Sequence, residues 1–181
     1  MNSAVSASLA GTKGDSMLAA LLTIFAAASM SAQAAPALSA PVQRAAPGTV
    51  SLADPNSLVA ALQKAGYKAK LTYEEGKPEI ESSAAGATFY LYFQNCESKE
   101  GCEDIMVQSA YDLDKDAVSL ETINKFNRDN RWARVYLDDE SDPVIESDLM
   151  FTGRRMDEDT FIGGIKAWDD VLGRFHKAID W

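Results

Sequence analysis

The sequence is short of the side chains on which most enzyme chemistry depends. It has one histidine, His176, and two cysteines, Cys96 and Cys102, in 181 residues. A lone histidine with no nucleophile or carboxylate in a recognisable arrangement supplies no acid–base machinery. Two cysteines with no histidine near them do not make up the four ligands of a zinc site. Cations are also scarce: 17 Lys and Arg stand against 27 Asp and Glu, for a net charge of −10. So acidic a surface repels nucleic-acid phosphates and anionic lipid headgroups, and no basic stripe offsets it. Long apolar runs are missing as well. The longest, Met17 to Met30, has 14 residues, whereas a membrane-spanning helix needs about 20. These shortages point away from an enzyme, a nucleic-acid binder and a membrane span. No catalytic residue, metal ligand set or cofactor site is assigned.

The 14-residue run does have the length of a secretory signal core. Lys13 precedes it, and Ala32-Gln33-Ala34 follows with the small-x-small pattern that signal peptidase accepts. Residues 1–34 are therefore expected to be a cleavable signal peptide, leaving a periplasmic or secreted protein that begins at Ala35. Neither a lipid-anchor cysteine nor a second apolar span follows, so no stable membrane anchor is expected after cleavage. Sixteen residues with a single lysine precede Met17, an unusually long leader-peptide head, which leaves Met1 and Met17 both open as the start. An exported chain meets an oxidising compartment, where two cysteines six positions apart are expected to pair. Free thiols or a redox pair are the alternatives.

Residues 35–53 are rich in Ala, Pro and Ser without apolar periodicity and read as a flexible leader. Asp54-Pro55 then has the form of a helix start. Leu58, Ala61, Leu62 and Ala65 recur at helical spacing, and Gly66 ends the run. Strands are expected at Ala69–Tyr73, Glu79–Glu81, Thr88–Gln94, Ile105–Tyr111, Ala133–Leu137 and Val144–Phe151. The clearest is Thr88–Gln94, where Phe89, Leu91 and Phe93 alternate with Tyr90 and Tyr92. Ser119 is placed to cap a short helix carrying Leu120, Ile123 and Phe126. A last helix opens on Asp157, Glu158 and Asp159, and Phe161, Ile165, Trp168, Leu172, Phe175 and Ile179 step along one face. Gly163 and Gly164 within it suggest close packing or a kink. The order αβββ-β-α-ββα predicts an α+β fold: an antiparallel sheet of about six strands with helices packed on one face.

From Phe89 onward the sequence resembles the YbjN family, catalogued as candidate bacterial sensory-transduction regulators. The resemblance is carried by Phe89-Tyr-Leu-Tyr-Phe93, Ala110-Tyr-Asp-Leu-Asp114, Ile123-Asn-Lys-Phe-Asn127, Arg134-Val-Tyr-Leu-Asp138 and Asp142-Pro-Val-Ile-Glu146, together with the final aromatic helix. The family's domain would occupy residues 54–181. The resemblance implies a fold like that of type III secretion chaperones, often dimeric, and no agreed catalytic activity. Many members look cytoplasmic, so the signal peptide and cysteine pair set this chain apart.

Four groups of residues are candidates for function. Tyr90, Tyr92 and Tyr136 fall on strand faces opposite the core pattern, where aromatics can form a partner surface. Asn124 and Asn127, three apart on the short helix, either tie it to the sheet or meet a polar ligand. Asp112, Asp114 and Asp116 alternate like the start of a calcium loop, but Ala117 stands where that loop needs glycine and Ile123 where it needs glutamate. The cluster from Asp138 to Asp142 reads as a charged hairpin tip. His176 reads as a helix-end cation. The expected function is that of a non-enzymatic regulatory or chaperone-like module that binds a protein of unknown identity, with a homodimer among the candidates. A small-ligand or divalent-cation-binding periplasmic module is the alternative.

Overall fold

The computed structural model of the chain describes residues 46, 48–96, 101–114 and 116–181. The expected signal peptide and most of the leader lie outside these residues. Among the described residues no helix is long and apolar enough to cross a membrane.

The chain enters through β1 (Thr49–Ser51) and turns into α1 (Pro55–Lys64). Pro55 opens the helix, where its fixed φ fits and its missing N–H has no helical partner to lose. Asp54 precedes it, but its side chain makes no capping bond. Ser57 serves instead: its hydroxyl donates to the Asp54 carbonyl at 2.6 Å and accepts the Ser51 N–H at 2.9 Å. Three strands follow as a meander: β2 (Ala69–Glu74), β3 (Lys77–Ala84) and β4 (Ala87–Gln94). Their turns are Glu75-Gly76 and Ala85-Gly86, with φ of 49°, 81°, 50° and 89°. Two successive positive φ values match the twist that a tight hairpin requires.

Next come β5 (Asp104–Ala110), α2 (Leu120–Asp129), β6 (Arg134–Leu137), β7 (Pro143–Met150), β8 (Arg155–Asp157) and α3 (Glu158–Ile179). The main sheet is antiparallel in the order β2-β3-β4-β5-β7-β6, so β7 inserts between β5 and β6. Its inner face carries Ile80, Phe89, Leu91, Ile105, Val107, Val135 and Ile145, all nearly inaccessible to water. The same core takes Leu58 and Leu62 from α1, Ile123 and Phe126 from α2, and Phe161, Ile165, Trp168, Leu172 and Phe175 from α3. The fold is α+β with three helices on one side of a six-stranded sheet among the described residues.

Two parts of this arrangement depart from the sequence reading. The leader was expected to run to Ala53, yet β1 pairs with β8 as a separate two-stranded sheet. Val50 and Leu52, at 1% and 4% exposure, explain why: they enter the core. The expected strand Glu79–Glu81 is the centre of the eight-residue β3. The small residues Ser82 and Ala84 carry the inward alternation on without a bulky side chain, and the Ser82 hydroxyl donates to the Lys68 carbonyl at 2.7 Å.

Capping of the later helices follows the sequence. Ser119 accepts the Thr122 N–H at the start of α2, and Asp157 accepts those of Asp159 and Thr160 at the start of α3. Of the two glycines in α3, Gly163 has open space beside it. A Cβ on Gly164 would meet Leu149 Cδ2 at 2.9 Å, so this glycine marks where the helix crosses β7 closely.

Candidate functional site

Strand alternation puts every second residue of the main sheet on the side away from the helices. There the ladder register lines up Lys70, Glu81, Tyr90, Gln108, Glu146 and Arg134 across all six strands. The adjacent row runs Thr72, Glu79, Tyr92, Met106 and Asp148. No helix among the described residues covers this face, and most of its side chains are half-buried by one another.

Tyr90 and Tyr92 stack with ring centroids 5.8 Å apart and planes inclined by 25°. Partial burial, and then the carboxylate of Glu79, raise the Tyr92 phenol above its ordinary range. Tyr136 is on the same face, but β5 and β7 intervene, a gap of roughly 14 Å at ordinary strand spacing. The three tyrosines therefore share a face without forming one cluster.

Between them lies Glu146, a carboxylate only 6% exposed. Gln108 Nε2 donates to it at 3.2 Å, the Tyr136 hydroxyl donates at 3.3 Å, and the Arg134 guanidinium forms an ion pair with it. A buried carboxylate needs such a set of partners to offset its lost hydration. Arg134 also lies 5.7 Å over the Tyr136 ring. At the β6 end a cleft of about 340 Å³ opens between Trp132, Arg134, Glu146 and Asp148. Trp132 is 70% exposed and holds a left-handed φ of 72°. That conformation is costly for a bulky residue and collects at recognition sites. Glu146, Met106 and Trp132 were missed in the sequence. Glu146 sits in a strand where a charge reads as solvent-facing, and Trp132 lies in a loop without periodicity.

Charge on the face is unbalanced. Lys70 faces Glu81, Lys77 faces Glu74, and Arg134 is committed to Glu146. Glu79, Asp104 and Asp148 have no cation opposite them in the ladder.

The asparagines divide. Asn127 Nδ2 donates to the Val135 carbonyl at 2.8 Å, and its Oδ1 accepts the Val135 N–H at 2.9 Å. One amide side chain thus occupies the outward hydrogen-bonding pair of edge strand β6, as a further strand would. Asn124 is exposed, and its side chain makes no hydrogen bond among the described residues. Cys96 and Cys102 are joined as a disulfide just beyond Gln94–Asp104, the last pair of the β4–β5 ladder. The acidic hairpin tip consumes its own charge: Asp138 accepts the N–H groups of Glu140 and Asp142, and Asp142 accepts that of Leu113. Among the described residues no three His, Cys, Asp or Glu side chains converge to hold a metal ion.

His176 is not the helix-end cation its position suggested. It is 6% exposed, and its Nε2 lies 2.6 Å from the Tyr111 hydroxyl. Burial lowers its pKa below the ordinary 6.5, against a hydrogen bond to the Ala85 backbone that raises it. The imidazole is therefore neutral near pH 7. Trp181 covers it at 4.2 Å between centroids.

The family model described as "Putative bacterial sensory transduction regulator" matches residues 54–181. The chain belongs to the YbjN family. No curated protein matches it. A solved structure, the crystal structure of an uncharacterized protein from Methanothermobacter thermautotrophicus, resembles this YbjN chain with a TM-score of 0.51. That match covers 70% of this chain and 96% of the other at 15% identity, a likeness of fold alone. The family description supports a regulatory module; it carries no catalytic residue to any position here.

Proposed function

We propose that this YbjN chain is a non-enzymatic regulatory module, exported from the cytoplasm, that docks a basic protein partner on its open sheet face. The observation that carries the reading is a sheet face that no described helix covers. It combines the stacked Tyr90–Tyr92 pair with Met106 and with three carboxylates, Glu79, Asp104 and Asp148, that lack a cation opposite. Tyrosine buries large area at small entropic cost, which suits a partner surface. Surplus negative charge beside it favours lysine or arginine on the partner and speeds encounter. Export is the reading that the apolar run and the Ala32-Gln33-Ala34 sequence support. N-terminal sequencing of the native protein should begin at Ala35.

A photo-crosslinking residue in place of Met106 tests the face in cells that produce the protein. The same residue in place of the exposed Lys166 on α3 is the control. A discrete adduct is expected from position 106 only, weakened by Tyr90→Ser together with Tyr92→Ser and by raised salt. Identical adducts from both positions, or none from a folded protein, would reject the docking face.

A further inference from the structure

A second candidate site lies in the helical layer, on the other side of the sheet from the tyrosines. A cleft of about 490 Å³ runs between α2 and α3, with Phe126 in its wall and Lys125, Arg174 and Lys177 around it. Cations are the minority charge in this chain, 17 against 27, yet three of them gather here. Among the described residues, neither Lys125 nor Lys177 makes a salt bridge.

Arg174 is held in place rather than free. Its Nε donates to Asn130 Oδ1 at 2.9 Å, and its Nη1 is paired with Asp170 one turn back. These contacts fix the plane of the guanidinium and leave Nη2 without a partner among the described residues. Asp129 at the cleft is bound by Arg128 at 2.8 Å, which holds it below the ordinary carboxylate range, and Lys125 adds to the effect. Helix dipoles explain only part of the grouping. Their effect is confined to the last turn, which in α3 includes Lys177 but not Arg174 and in α2 does not include Lys125. Three like charges around one cleft repel each other, and a bound dianion would reverse that cost.

We infer that the α2–α3 cleft binds a phosphate dianion, held by Arg174, Lys125 and Lys177. A guanidinium of fixed orientation beside two exposed ammonium groups suits such an anion.

The probe is inorganic phosphate titrated into the protein at constant ionic strength with chloride, followed by amide chemical shifts. Saturable shifts confined to α2 and the C-terminal half of α3 are expected. Lys125→Gln with Lys177→Gln should weaken binding at least about tenfold. Both lysines are exposed, so this variant keeps the core. Its amide spectrum outside the cleft should match that of the parent, so that lost binding is not lost folding. Two results would overturn the site: no shift beyond the chloride control, or equal binding by the folded variant.

Discussion

The Tyr111 hydroxyl and His176 Nε2 share a hydrogen bond of 2.6 Å, which joins the end of β5 to the last turn of α3. With the imidazole neutral, its other ring nitrogen donates to the Ala85 carbonyl in the β3–β4 turn. Three distant parts of the chain therefore meet at one buried ring, and its protonation state bears on stability.

In the unfolded chain His176 protonates near 6.5, whereas in the folded chain burial holds its pKa lower. The unfolded state thus binds more protons as pH falls through about 6.5. The contribution is complete above that value and is lost as pH drops from it toward the folded pKa. Thermal melts at pH 7.5 and 5.5 should show a larger drop for the native chain than for His176→Gln, which keeps an acceptor for Tyr111. Tyr111 acts at the other end of the scale. Burial pushes its pKa from 10.0 up to about 12, so its contribution is lost as pH rises between those values.

The disulfide closes a short loop, for which chain entropy alone gives roughly 2.4 kcal/mol. Cys102→Ser should lower stability by about 2 kcal/mol while the sheet stays formed. Denaturant titration with circular dichroism checks this. A loss of folding altogether would mean that the β4–β5 connection depends on the bond more than its position at the ladder end implies.

Asn127 carries an edge-protecting role that is open to direct test. Asn127→Ala removes two hydrogen bonds and uncovers the outward N–H and C=O of Val135. A cost of about 2 kcal/mol is expected at roughly 1 kcal/mol per bond. The freed edge should also promote self-association, visible as larger species by light scattering. Asn124→Ala, three positions earlier, puts a better helix former at an exposed position, so it should not lower stability and should not promote self-association.

The two glycines of α3 should respond in opposite ways. Gly163→Ala has open space and gains helix propensity, so it should stabilise by about 0.5–1 kcal/mol. Gly164→Ala gains the same propensity but places a Cβ 2.9 Å from Leu149 Cδ2. Its melting temperature should fall below that of Gly163→Ala, and Leu149→Ala should restore part of the difference.

Much of this architecture was legible because one face of each long strand is buried. Phe89, Leu91 and Phe93 alternate with Tyr90 and Tyr92, and that contrast gives both the strand and its inner side. β1 and β8 were hidden because three residues hold less than two periods of alternation, and their partners are more than a hundred positions apart. Burial of a charge was equally hidden: Glu146 reads as a surface residue until Arg134, Gln108 and Tyr136 are brought around it. The α2–α3 cleft could not be read from the sequence at all, since Asn130 and Arg174 are 44 positions apart. Asn127, like Asn124, stands out in the sequence as a polar residue beside the apolar helix positions. Its pairing with Val135 needed the fold.

α3 follows all eight described strands in the chain, yet it supplies Phe161, Ile165, Trp168, Leu172 and Phe175 to the core beneath them. The meander β2–β3–β4, with its two-residue turns, can pair early from contacts close in sequence. Its apolar side then waits for a cover that is synthesised after every described strand. A nascent chain that has not reached residue 158 presents Phe89, Leu91 and Ile105 to its surroundings. Completion of the fold is therefore tied to the arrival of α3, and the domain stays open until that helix has emerged.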